Sequence, residues 1–227
     1  MKTSDKITLL LAEDHAIVRQ GLRALLQADG GFLILGEART GREAVAMALK
    51  LGPDITIMDI AMPVLNGLEA TRQILNAKPD AKVLILSAHS DDEYIERMTT
   101  AGAVGFLEKQ TSAEVLTKAL REVAEGGSFY GTYQVKQRAD AERTRNRDGS
   151  PKVDGARLTS RETEVLQLVA EGSANKQVAV ELGISVKTVE KHRQHLMDKL
   201  NIHETAGLTR YAINTGIIET RVHLTIT

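Results

Sequence analysis

The sequence predicts two domains of different class: a parallel α/β sheet covered by helices on both faces, then an all-α domain of four helices. Three observations lead there. Residues 1–126 alternate short apolar runs with segments of helical periodicity. Residues 136–157, "KQRADAERTRNRDGSPKVDGAR", are highly charged and hold almost no large apolar side chain. From Leu158 onward only helical periodicity remains, and 227 residues leave room for two ordinary domains.

In chain order, Ile7–Ala12, Leu33–Ala38, Asp54–Met58, Lys82–Ser87 and Gly105–Leu107 read as five short strands. Between and after them, His15–Ala28, Gly41–Leu51, Gly67–Ala77, Asp92–Ala101 and Ser112–Glu125 space apolar residues as helices do. Such alternation builds βα units and a parallel sheet. With right-handed crossovers it narrows to a doubly wound, flavodoxin-like five-stranded sheet over residues 6–126. Residues 127–156 cannot bury a core and are expected to form a linker, with a basic arm touching DNA phosphates as the alternative. The remainder, 157–220, starts on Thr159-Ser160-Arg161-Glu162, a Thr N-cap followed three residues later by Glu. A second helix is predicted over Asn175–Leu182, stopped by Gly183, and a third from Ser185 to Leu200. A fourth is predicted over Glu204–Thr215, and no internal repeat is visible.

Hydrophobic content of 42% with 26% charged residues is that of a globular chain, and no apolar run reaches transmembrane length. The N-terminus turns acidic at Glu13-Asp14 too soon for a signal peptide, so a cytoplasmic location is expected. Without cysteine, disulfides, thiolate metal sites and cysteine nucleophiles are excluded. The net charge of −1 hides an asymmetry. Residues 1–126 carry 14 Lys/Arg against 18 Asp/Glu, and residues 127–227 carry 15 against 12. An acidic half and a basic half suggest different partners, nucleic acid among them.

Parallel α/β sheets bind ligands at the carboxyl ends of their strands. Glu13 and Asp14 follow the first predicted strand and Asp59, in "TIMDIAMP", follows the third. In the doubly wound order these strands are neighbours, so three carboxylates should converge and require a cation. Oxygen ligands with room for water suit Mg²⁺. Ser87 ends the fourth strand and Lys109 follows the fifth. A hydroxyl and an ammonium beside such a cluster fit phosphoryl transfer to an Asp carboxylate. Taken singly, Glu13 and Asp14 would do no more than cap the next helix.

"LLLAEDHAIVRQGL", "DITIMDIAMPVLNGLEA", "LSAH" and "GAVGFLEK" resemble the receiver domain of two-component response regulators. The resemblance implies that Asp59 is the phosphoacceptor and that Glu13, Asp14, Asp59 and the Ala61 carbonyl hold Mg²⁺. It also makes Ser87 and Phe106 the switch pair and Lys109 the phosphoryl contact. Phe106 stands where Tyr is also common, and Gln110 replaces a frequent Pro; neither change removes a reactive group. His89 lies near the expected site, with a solvent-exposed loop position as its simpler reading. A covalent phosphatase of the haloacid-dehalogenase type would need a second Asp two residues after the nucleophile, where Ala61 stands. A receiver that only dimerises or docks remains a nearer alternative.

"NKQVAVELGISVKTVEKHRQHLMDKL" reads as two helices joined by a turn, the helix-turn-helix pattern. On a helical wheel Val189, His192, Leu196 and Leu200 share one face. Lys187, Glu190, Lys191, Gln194 and Asp198 lie opposite, where they can meet base edges and phosphates. Residues 158–218 resemble the LuxR-type DNA-binding domain of NarL/FixJ-class response regulators, through "LTSRE.EVL", "NK", "IS..TV..H" and "KL". That resemblance makes Lys187, Thr188, Glu190, Lys191 and Gln194 groove-facing, with Asn175 and Lys176 placed to reach phosphate. Leu208, Tyr211 and Ala212 form a stripe equally suited to core or dimer interface. A sensor histidine kinase, DNA, a second copy of the chain and RNA polymerase are the implied partners. Phosphorylation would act through the face formed by the receiver's last two helices and last strand. The tail "TRVHLTIT" has no assigned role.

Overall fold

The computed structural model describes residues 6–88, 97–130 and 158–218. His89, residues 92–96 of the predicted fourth helix, residues 131–156 of the predicted linker and the tail lie outside them. Strands β1 (Ile7–Ala12), β2 (Phe32–Ala38), β3 (Ile55–Met58), β4 (Val83–Ser87) and β5 (Gly105–Glu108) form one parallel sheet in the order β2-β1-β3-β4-β5. They alternate with α1 (Ala16–Asp29), α2 (Gly41–Leu51), α3 (Gly67–Ala77), α4 (described over 97–100) and α5 (Ala113–Ala124). This is the flavodoxin-like arrangement that the alternation predicts.

Local chemistry sets the boundaries. Thr40 caps α2 by accepting from the Glu43 N–H, and Ser112 caps α5 by accepting from the Val115 N–H. Gly30 and Gly52 end α1 and α2 in the left-handed conformation, which costs glycine little. Every residue of β3 is buried, which is why its sequence runs apolar instead of alternating. Leu9 and Leu11, Ile57, and Leu84 and Leu86 share one face with Leu26 of α1 and Leu116, Leu120 and Val123 of α5. Each such side chain contributes roughly 1.5–3 kcal/mol on burial. The opposite face carries α2, with α3 beside it.

Phe129, which the sequence assigns to the linker, bridges in parallel to Gly105. The Phe106 N–H donates to Phe129 O at 2.7 Å, and the Phe129 N–H donates to Val104 O at 3.1 Å. Position 105 requires glycine, because a Cβ there would lie 2.6 Å from Phe129 O. The pairing covers part of the outer edge of β5.

The chain divides into two compact units, and the second holds the C-terminal helices. These are α6 (Ser160–Ala170), α7 (Asn175–Leu182), α8 (Val186–Leu200) and α9 (Thr205–Asn214). Thr159 and Glu162 close the expected capping box. Burial opposes the Glu162 charge, but the Thr159 N–H and the Lys199 ammonium, 2.9 Å away, hold its carboxyl below the usual value. Gly183 ends α7 in the left-handed conformation, and Ser185 caps α8 three residues after α7 stops. Val165, Val169, Val178, Leu182, Val189 and Leu196 form the core with Leu208 and Ala212. The stripe on α9 is therefore core at Leu208 and Ala212, with Tyr211 half-buried beside them. Among the described residues no helix is long and apolar enough to cross a membrane.

Candidate functional site

All five strands run the same way, so their carboxyl ends share one edge of the sheet. The order reverses between β1 and β3, and a crevice opens at such a point. Ala12 pairs with Met58, which sets Glu13 and Asp59 side by side as the two strands end. The Asp59 N–H donates to Ala12 O at 2.8 Å, carrying the ladder one residue past the strands. Both acidic residues are only 2% exposed. The carboxylates therefore sit in a setting that penalises charge.

Lys109 lies between them. Its Nζ is 2.7 Å from Glu13 Oε2 and 2.8 Å from Asp59 Oδ2. The other Asp59 oxygen, Oδ1, accepts from the Ile60 N–H at 2.8 Å, so its backbone neighbour fixes the carboxylate plane. The Lys109 N–H donates to Ser87 O at 2.7 Å, which ties the end of β5 to the end of β4. Burial and the neighbouring Glu13 charge push the Asp59 carboxyl up to about 6, against the pull of Lys109 and the Ile60 N–H. Burial also works against the Lys109 charge, but two carboxylates outweigh it and hold the ammonium above the ordinary lysine range.

Asp14 completes the acidic set, and His15 joins it. Ligand-type atoms of Glu13, Asp14, His15 and Asp59 all lie within 4.8 Å of one another. His15 Nδ1 is 3.0 Å from Glu13 Oε1 and 2.9 Å from Asp14 Oδ1. Glu13 Oε1 also accepts from the His15 N–H at 3.0 Å, so this carboxylate serves the start of α1 as well as the crevice. Three carboxylates gather at one ammonium, an excess of negative charge in a site where burial first, and the Glu13 charge after it, already raises Asp59. That excess, on oxygen donors, fits a hard divalent cation.

Ser87 is buried at the end of β4, and Phe106 is buried in β5, three residues before Lys109. Ala61 is half-buried in the loop after Asp59. The sequence gives little warning of two further residues. A Cβ at Gly67 would lie 1.9 Å from Asp59 O, so only glycine lets the start of α3 fold back onto this backbone. The Gly67 N–H donates to Ile60 O at 2.8 Å and closes the loop. Arg19, read from the sequence only as a helix residue, is buried beneath Glu13 and Asp14.

In the second unit Lys187, Glu190, Lys191 and Gln194 are exposed along α8, as the helical wheel predicts. Thr188 is half-buried and engaged at the helix start, its N–H donating to Ser185 Oγ at 3.1 Å. Lys176 is exposed at the start of α7, whereas Asn175 is half-buried and accepts from Arg193 Nη1 at 2.6 Å. Arg193 also donates to Thr205 Oγ1 at 3.2 Å, so one guanidinium joins the starts of α7 and α9. A single arginine in an amphipathic helix carries no sequence signal for that role.

Residues 9–121 match the response regulator receiver domain family, and residues 156–212 match the bacterial regulatory proteins of the luxR family. The transcriptional regulatory protein DegU of Brevibacillus brevis is 32% identical over 229 residues, covering 96% of this chain and 97% of that protein. The transcriptional regulatory protein MctR of Rhizobium johnstonii is 35% identical over 218 residues, covering 96% of this chain and 98% of that protein. Among solved structures, the response regulator ChrA of a heme-sensing two-component system aligns with a TM-score of 0.50 and 29% identity, over 95% of this chain and 100% of that one. The chain belongs to the NarL/FixJ-class response regulators, transcriptional regulators that join a receiver domain to a LuxR-type DNA-binding domain.

Proposed function

We propose that Asp59 is the phosphoacceptor of this regulator and that a sensor histidine kinase, acting there, controls DNA binding by the second unit. The observation that carries this reading is the Lys109 ammonium, held between Glu13 and Asp59 at the switch point of the sheet. Transfer forms a bond from an Asp59 oxygen to phosphorus as the bond from phosphorus to the donor imidazole nitrogen breaks, and the electron pair stays on that nitrogen. The acceptor must be ionised, and a carboxyl titrating at about 6 is mostly so at neutral pH. Lys109 is placed to neutralise incoming phosphoryl oxygens, and the backbone bond from Ile60 keeps Asp59 oriented.

Glu13, Asp14, Asp59 and the Ala61 carbonyl are the residues that would hold Mg²⁺. When bound, the ion would supply neutralisation of the negative charge that gathers as the phosphoryl group arrives. No separate substrate is turned over in this reading; the chemistry is phosphotransfer onto the chain and its hydrolysis. Ser87 and Phe106 form the switch pair. The Phe106 N–H bond to Phe129 gives movement there a direct connection to the segment that follows α5.

Domain limits of 6–126 and 157–220, joined by a linker over 127–156, suit this division of labour. Lys187, Thr188, Glu190, Lys191 and Gln194 of α8 are assigned to the major groove, with Asn175 and Lys176 near phosphate. Glu190 repels phosphate but can accept from cytosine N4, so its use there is for specificity. Dimerisation on paired half-sites, contact with RNA polymerase and a cytoplasmic location belong to the same reading. The test is labelling with acetyl phosphate and Mg²⁺. Wild type should be labelled, Asp59→Ala should not, and chelation of Mg²⁺ should stop the reaction; full labelling of Asp59→Ala would sink the assignment.

A further inference from the structure

Arg19 breaks a local rule. A cation in the first turn of a helix opposes the helix dipole, and this one is also only 6% exposed. Its hydrogen bonds explain the position. Nη1 donates to Glu13 O at 2.8 Å and to Asp14 O at 3.3 Å, while Nε donates to Glu37 Oε2 at 3.1 Å. Glu37, from β2, is held in turn by Arg23 Nη1 at 3.0 Å on its other oxygen. The Arg23 guanidinium keeps the Glu37 carboxyl below its usual range.

Successive side chains in an extended strand point to opposite faces. Glu13 and Asp14 therefore converge on one crevice only if the chain turns between β1 and α1. His15, the residue that caps α1, makes no side-chain capping bond. Beside the His15 N–H bond to Glu13 Oε1, the turn is held by Arg19, whose Nη1 donates to both carbonyls while its Nε is fixed to Glu37.

We infer that Arg19 is a positioning residue for the cation, locking the Glu13-Asp14 turn so that both carboxylates face Asp59, with Glu37 as its anchor. This rests on the reading of Glu13, Asp14 and Asp59 as the Mg²⁺ site. Partners that orient metal ligands in this way typically change metal affinity by 10–100-fold when removed.

The experiment is calorimetric titration of the full chain with MgCl₂, alongside urea unfolding of each variant. Arg19→Met should raise the apparent Kd by roughly tenfold or more. Arg19→Lys, with one compact donor group, should recover part of the loss. Glu37→Gln should weaken binding less than Arg19→Met, and adding it to Arg19→Met should change nothing further. Arg121→Met, which breaks the remote ion pair with Asp29 (2.6 Å), should lower stability without moving the Kd. A Kd for folded Arg19→Met within about twofold of wild type overturns the inference. If Arg19→Met does not fold, unchanged Kd values in both Arg19→Lys and Glu37→Gln overturn it. Failure of wild type to take up Mg²⁺ overturns the metal assignment itself, a separate outcome.

Discussion

Replacing Asp59 by Asn removes a charge that the metal-free fold holds at a cost. The carboxyl titrates at about 6 in the folded protein, against 3.8 for an ordinary aspartate. Below the lower value both folded and unfolded states are protonated and the residue contributes nothing. As pH rises the unfolded chain ionises first, so the folded state loses ground until its own carboxyl ionises. The penalty is complete above about pH 6. That displacement corresponds to about 3 kcal/mol. The variant, close in shape to the protonated acid, should exceed wild type by about 3 kcal/mol at pH 7. The gain should shrink as pH falls below about 6 and be largely gone near pH 4. Urea titrations followed by far-UV circular dichroism, in chelator, would measure it. With a slope of roughly 1–3 kcal/mol per molar urea, the receiver midpoint should move up by about 1–3 M at pH 7. Saturating Mg²⁺ should close the gap, because the cation stabilises the carboxylate and not the amide. Equal midpoints at pH 7 in chelator, or a gain just as large at pH 4, would show that Asp59 is not held at a cost.

Gly67→Ala would drive a methyl group into the Asp59 carbonyl, and overpacking of that kind costs about 1–3 kcal/mol or more. Receiver stability should fall and Mg²⁺ binding weaken with it; a variant with both properties unaltered would mean that the loop does not rest on Asp59. In the second unit, Thr159→Ala removes the acceptor of the capping box and should cost about 1 kcal/mol in urea unfolding, with no change in the receiver transition. Lys191→Ala should weaken binding to an operator and lower the dependence of log K on log salt, because one cation is lost from the groove-facing surface of α8. Binding that is unmoved across salt concentrations would place Lys191 away from DNA.

The strands and helices were legible because their signals are periodic and local. The apolar run of β3 and the helical spacing of α2 and α3 need only neighbouring residues to be read. The acidic site was legible for a related reason. In a parallel sheet the end of every strand falls on one edge, so Glu13, Asp14, Asp59, Ser87 and Lys109 can be placed together without knowing any distance. Phe129 escaped because a single parallel bridge leaves no period, and its partner lies far back in the chain at Gly105. Thr188 and Asn175 illustrate a different limit. Both stand at helix starts, where a polar side chain serves the cap or a neighbouring helix as readily as it serves DNA.

Residues that hold the site in place had no such signal, and the reason is physical. Arg19 reaches back to the carbonyls of Glu13 and Asp14 and sideways to Glu37 on β2. Gly67 is fixed by its approach to the backbone of Asp59, and Arg193 by Asn175 and Thr205. Each role comes from a contact between segments that the fold alone brings together, so no window of sequence contains it. Reactive groups can be named from strand ends, but their aim depends on these contacts. The carboxylates of Glu13 and Asp59 would still flank β1 and β3 if Arg19 and Gly67 were changed. What would be lost is the turn that points one and the loop that backs the other, and cation affinity measures both.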